Sequence, residues 1–267
     1  APWCGVDPDQ LVTPRLCTIH SGDGLDFTAW LYRPSPLRAK LPVVIAFHGG
    51  PEWQERPFFS ALYQTLCEAG YAVLAPNVRG STGYGKHFAA LDDGRRRLDV
   101  LRDVAAVVDF VQRQPDLDAR RMVAMGASYG GYLVLLTLTH LPDRFRAGIE
   151  MVGMADLEAF LERTGPWRRA LREAEYGRLE TDREVLRALS PIHAIDQIQV
   201  PLMVVHGAND PRVPVAEAEQ IVAALKTRGQ RVEYLCYGDE GHGISRLKNL
   251  YDLYPRLLRF LKEAIDT

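Results

Sequence analysis

The chain has 267 residues, 47% apolar and 25% charged, the balance of a globular protein able to bury a core without a metal or disulfide staple. Thirty-four acidic residues against 32 basic ones leave a net charge of −2, which offers no field for nucleic acid or an anionic membrane. No apolar run reaches the roughly 18 residues of a membrane span, and no signal segment follows Ala1, so a cytoplasmic location is expected, with a trimmed targeting segment left open.

In chain order, residues 16–22 and 25–33 read as a hairpin around Gly22-Asp23-Gly24. Residues 42–47 form a nearly unbroken β-type apolar run, which suits a strand buried on both faces. A helix near 57–69 follows, then a strand over 71–75 and a helix near 98–113 with Leu101, Val104, Ala105, Val108 and Val111 at helical spacing. A strand over 122–126, a helix over 129–140 and a strand over 147–152 come next. The strand that starts after Pro201, a helix at 215–227 and a strand at 231–237 complete the alternation. A last apolar face from Leu247 to Ile265 contains Pro255, which predicts a kink or a later start. The alternation predicts one α/β domain over 1–267, with a mostly parallel sheet covered on both faces. Between 152 and 202 the connection is too long for a crossover, so a charged helical insert is expected near 153–190.

Cys4, Cys17, Cys67 and Cys236 form no C-x-x-C pair and sit beside no histidine at metal-ligand spacing. They read as small buried side chains, with Cys4–Cys17 the one pairing left open. No metal or cofactor is implied.

The chemistry concentrates in Gly126-Ala-Ser128-Tyr-Gly-Gly131, which lies between a predicted strand and a predicted helix. That is the context of a G-x-S-x-G nucleophile elbow, with Ser128 as nucleophile. A serine hydroxyl needs a base, and on this fold acid and histidine follow the serine in that order. Asp210 lies just past a strand end, and His242 is the single histidine after it, framed by Gly241 and Gly243. Asp239 and Glu240 sit on the histidine's own loop and read as solvated charges, and His206 reads as a packed turn histidine. The loop His48-Gly49-Gly50-Pro51 follows the buried strand; Gly50 and Tyr129 are the expected oxyanion donors. Arg79 is expected to pair with Asp103. Trp53, Tyr132, Phe160 and Trp167 are candidates for the substrate pocket.

These motifs, with Asn77-Val-Arg-Gly-Ser-Thr-Gly-Tyr-Gly85 and Asn209-Asp-Pro-Arg-Val-Pro214, resemble the prolyl oligopeptidase family of serine peptidases, in detail its acylaminoacyl-peptidase branch. The resemblance covers nearly the whole chain and implies an α/β-hydrolase fold and acyl transfer through Ser128, Asp210 and His242. Members of the family carry a β-propeller that filters substrates, whereas some 15 residues precede the first predicted strand here. The substrates implied are small esters or short peptides, esters slightly favoured for a chain without the propeller. A non-enzymatic binding module on the same fold is the rival reading.

Overall fold

The computed structural model describes residues 7–34 and 40–265. Eight strands form one sheet: β1 (Arg15–His20), β2 (Asp26–Tyr32), β3 (Leu41–Phe47), β4 (Ala72–Pro76), β5 (Leu117–Ala127), β6 (Ala147–Met151), β7 (Leu202–Gly207) and β8 (Val232–Tyr237). Their order is β1-β2-β4-β3-β5-β6-β7-β8, with β2 running against both neighbours and all pairs from β4 to β8 parallel. The helices are α1 (Ala61–Glu68), α2 (Lys86–Ala89), α3 (Val100–Arg113), α4 (Tyr129–His140), α5 (Leu157–Arg163), α6 (Pro166–Tyr176), α7 (Arg183–Ala188), α8 (Ala216–Thr227) and α9 (Leu247–Ile265).

The run in β3 is buried on both faces, as its composition predicts: Val43 and Ile45 face a core built with α3, α4 and α8, while Val44 and Ala46 face a second core built with α1 and α9. This is the α/β-hydrolase arrangement, with the expected helical insert supplied by α5, α6 and α7. Because the strands from β3 to β8 run parallel, Phe47, Ala127, Gly207 and Tyr237 all end at one edge of the sheet, where ligands bind in such folds.

Local differences from the sequence expectations have physical causes. The helix expected near 57–69 starts at Ala61, because the Ser60 hydroxyl accepts from the Tyr63 amide and caps it there. β5 begins at Leu117, well before Met122; Asp118 pairs with both Arg120 and Arg121, and these charges hide its start behind a polar sequence. The first turn of the helix predicted from 98 is a 3-10 segment over Gly94–Asp99. α9 runs through Pro255, whose missing N–H leaves the Tyr251 carbonyl without its helical partner, and Tyr251 is exposed to water. Cys17 and Cys67 are buried free thiols as expected, but Cys236 is exposed, on edge strand β8; Cys4 lies outside the described residues. No helix among the described residues is long and apolar enough to cross a membrane.

Candidate active site

The turn between β5 and α4 holds Ser128 at φ 58° and ψ −119°, a conformation that side-chain-bearing residues rarely adopt. A Cβ on Gly126 would meet the Gly130 carbonyl, and one on Gly130 would meet the Phe47 carbonyl, so the flanking positions require glycine. Bonds from the Ser128 amide to the Met151 carbonyl (2.9 Å) and from the Tyr132 amide to the Ser128 carbonyl (3.0 Å) fix the turn.

Asp210 and His242 come from the loops after β7 and β8. These loops are stitched together by Ala208 donating to Tyr237 O (3.0 Å), Asn209 N donating to Glu240 O (3.0 Å) and Asn209 Nδ2 donating to Gly238 O (2.7 Å). Gly207 allows the close approach, since a Cβ there would strike the backbone of Glu240 and Gly241. His242 Nε2 lies 2.9 Å from Ser128 Oγ, and His242 Nδ1 lies 2.7 Å from Asp210 Oδ2. The other oxygen of Asp210 accepts from the amides of Arg212 (2.8 Å) and Val213 (3.0 Å). Burial pushes the Asp210 carboxyl upward, but the His242 bond and these two amides outweigh it, so it stays below the usual carboxylate range. The Asp210 side chain is fully buried and that of His242 nearly so.

Tyr129 opens α4, so its amide has no acceptor within the helix. Gly50 lines the same cavity as Ser128 and His242, and Gly49 packs beside Ala127 and Ser128. Of the two expected oxyanion donors, Tyr129 thus follows Ser128 directly and Gly50 shares its cavity. His48 is held away from it by contacts to Gly49 O (2.7 Å) and Ser81 Oγ (2.8 Å).

The cavity measures about 120 Å³, room for one medium-sized side chain. Its apolar walls are Met154, Phe160, Tyr176 and Val213, and its polar walls are Arg168, Arg172 and Arg212. Of the four candidate pocket residues, Phe160 is thus a wall. Tyr132 is core: fully buried, it donates its hydroxyl to Leu189 O (2.8 Å). Trp167 is 80% exposed, lying over Gly165 with the Arg168 guanidinium 5.3 Å from its ring, and Trp53 is 61% exposed; neither lines the cavity. Trp167 is on the solvent side of the first turn of α6 and Trp53 is on a loop, an exposure that apolar character alone does not reveal.

Beneath the cavity Arg97 is fully buried, paired with Asp92 and stacked over Tyr129 (5.2 Å) and Tyr176 (4.7 Å), while Tyr129 Oη donates to Asp92 (2.7 Å). Behind the elbow, Glu150 accepts from the Gly153 amide, and Glu217 accepts from Ala155 (3.0 Å) and Asp156 (2.9 Å). Burial pushes Glu150 to about 8 and Glu217 to about 7. None of these four charged residues stands out in the sequence, where a lone Asp, Glu or Arg reads as surface. Arg79 makes the expected bidentate pair with Asp103 (2.9 and 2.7 Å). Glu240, expected in solvent, is 3% exposed and bonded to Ser245, Arg246 and Asn249, and Asp239 pairs with Lys248 at 2.8 Å. His206 is buried as expected, 3.0 Å from Val213 O.

Sheet, elbow and the serine–histidine–aspartate chain define an α/β-hydrolase. The chain belongs to the prolyl oligopeptidase family, which it matches over residues 57–267. It is 36% identical over 216 residues to dipeptidyl aminopeptidase BIII of Pseudoxanthomonas mexicana, covering 79% of this chain and 31% of that protein. It is 29% identical over 253 residues to the acylamino-acid-releasing enzyme of Homo sapiens, covering 91% and 34%. The solved Pyrococcus horikoshii acylaminoacyl peptidase matches with a TM-score of 0.88 at 26% identity, over 96% of this chain and 42% of that one. The chain spans about a third of the length of these curated relatives.

Proposed function

We propose that the chain carries the catalytic centre of a serine peptidase that cleaves acyl-amide bonds of short peptides, and activated esters, through an acyl-enzyme. The observation that carries this reading is the continuous path from Ser128 Oγ through His242 to the buried Asp210. Ser128 Oγ attacks the carbonyl carbon while His242 Nε2 takes the hydroxyl proton and then passes it to the leaving amine or alkoxide. Water attacks the acyl-Ser128 ester with the same histidine as base, which restores the hydroxyl and releases the acid. The amides of Gly50 and Tyr129 donate hydrogen bonds to the developing oxyanion, an arrangement worth several kcal/mol. Asp210 keeps the Nδ1 proton in position and stabilises the imidazolium. The peptide reading is favoured over the ester preference expected from the sequence, because two of the three relatives named above, dipeptidyl aminopeptidase BIII and the Pyrococcus horikoshii acylaminoacyl peptidase, carry peptidase names.

Fluorophosphonate labelling tests the centre. Wild type is expected to label at Ser128, and Ser128→Ala to lose the label with a thermal transition nearly unchanged. Labelling that persists at another serine would refute the assignment. A panel of blocked aminoacyl amides and p-nitrophenyl esters then separates peptidase from esterase.

A further inference from the structure

The wall of the cavity contributed by the insert is cationic. Arg168 and Arg172 stand one turn apart on α6, so they share a face, and both line the cavity that holds Ser128 and His242. Arg212 joins them from the loop that carries Asp210, and no carboxylate lines the cavity with them. Like charges at this helical spacing oppose each other, so without an anion the arrangement destabilises the helix. Glu175 compensates Arg172 alone, at 2.5 Å. Among the described residues neither Arg168 nor Arg212 has an acidic side chain within ion-pair distance, and apart from Gly50, Ser128 and His242 the remaining walls are the apolar Met154, Phe160 and Val213 and the ring of Tyr176. Burial, and then the charges of Arg172 and Arg212, hold the Arg168 guanidinium below its ordinary value, with Asp210 acting the other way. A planar fork of N–H donors in a partly desolvated pocket matches a carboxylate.

We infer that this cavity recognises substrates carrying a carboxylate, held by Arg168 and Arg172 with Arg212 beside them. The inference rests on Ser128 as the nucleophile and names the substrate class of that site. The carboxylate has two possible sources, an acidic side chain on the acyl side of the scissile bond or the free α-carboxylate of the leaving group.

The test reads the rate at which Ser128 is phosphonylated in the full chain, with pairs of compounds that differ only in charge. Glutamyl and glutaminyl diphenyl phosphonates carry the carboxylate, or its amide isostere, on the acyl side. N-acetyl-alanyl-alanine as free acid or as C-terminal amide, used as a competitor, carries it on the leaving side. An alkyl fluorophosphonate without either group reports on Ser128 alone. One of the two pairs is expected to favour the acid by about tenfold, and which pair does so identifies the source. In Arg168→Gln that ratio falls toward one, and Arg172→Gln serves as a second variant; a ratio is insensitive to a general loss of active protein. Ratios under about threefold in both pairs, with the fluorophosphonate still labelling Ser128, overturn the carboxylate site and leave the proposed function standing. If the fluorophosphonate does not label Ser128, the earlier reading falls and this one with it.

Discussion

Replacing Asp210 by Asn isolates what the carboxylate contributes, because the neighbouring backbone dictates how an amide must sit. The amides of Arg212 and Val213 both donate to one oxygen of Asp210. An asparagine keeps its single oxygen on those donors, which turns its NH2 toward His242 Nδ1. Two donors cannot face each other, so the imidazole moves its proton to Nε2, the nitrogen that must accept from Ser128 Oγ. The base is then in the wrong tautomer and the imidazolium has lost its counter-charge. In serine proteases of other folds that change lowers kcat by about 10⁴, equivalent to roughly 5 kcal/mol of transition-state stabilisation. The assay is steady-state turnover of a blocked aminoacyl ester beside the rate of fluorophosphonate labelling, with Asp239→Asn as the control. Asp239 lies on the histidine's loop but binds Lys248, so its loss is expected to leave turnover within a few-fold. An active Asp210→Asn with a disabled Asp239→Asn would refute the reasoning and move the acid to the histidine loop.

Two further predictions concern buried charge. Arg97→Met leaves Asp92 buried without its counter-charge, held by the Tyr129 hydroxyl, and is expected to cost about 3–5 kcal/mol, read as a shift in the denaturant midpoint; adding Asp92→Asn should recover part of the loss, and no recovery would refute the pairing as the cause. Glu150 keeps its proton to about 8 in the folded state, whereas the unfolded chain releases it near the ordinary carboxylate value, so wild-type stability should decline as pH rises from about 5 to 8. Glu150→Gln retains the acceptor for Gly153 and removes this titration, so its thermal midpoint should fall less over that window, and parallel curves would refute the assignment.

The sequence was most readable where the backbone leaves little choice. A strand buried on both faces must be apolar throughout, and residues 42–47 are. The elbow could be located because the Gly126 and Gly130 contacts forbid side chains, so the packing requirement is written directly as glycine. Asp210 and His242 followed from strand ends and chain order. The pocket was much less readable. Phe160 and Tyr132 are both aromatic and both buried, yet one is a cavity wall and the other core, a difference set by how the insert folds back over the sheet. The spacing of Arg168 and Arg172 is visible in the sequence, but its direction depends on contacts made by α6.

Glu240 shows why residue type and loop position are insufficient even close to the chemistry. Lying two residues before His242, it is excluded as the triad acid by reach, and solvent is the natural place to put it. Instead its oxygens accept from the amide of Arg246 (2.8 Å), the hydroxyl of Ser245 (3.2 Å) and the side chain of Asn249 (2.8 Å). These bonds tie the loop on both sides of His242 to the start of α9. Burial raises the Glu240 carboxyl, but its donors outweigh that and hold it ionised below the ordinary range. A histidine on a glycine-framed loop has little local restraint of its own. Glu240 supplies restraint from the following helix, while the bond from Asn209 N to the Glu240 carbonyl supplies it from the loop that bears Asp210. One residue thus connects the acid loop, the base loop and the last helix, and it is this convergence, invisible to any local pattern, that holds His242 between Asp210 and Ser128.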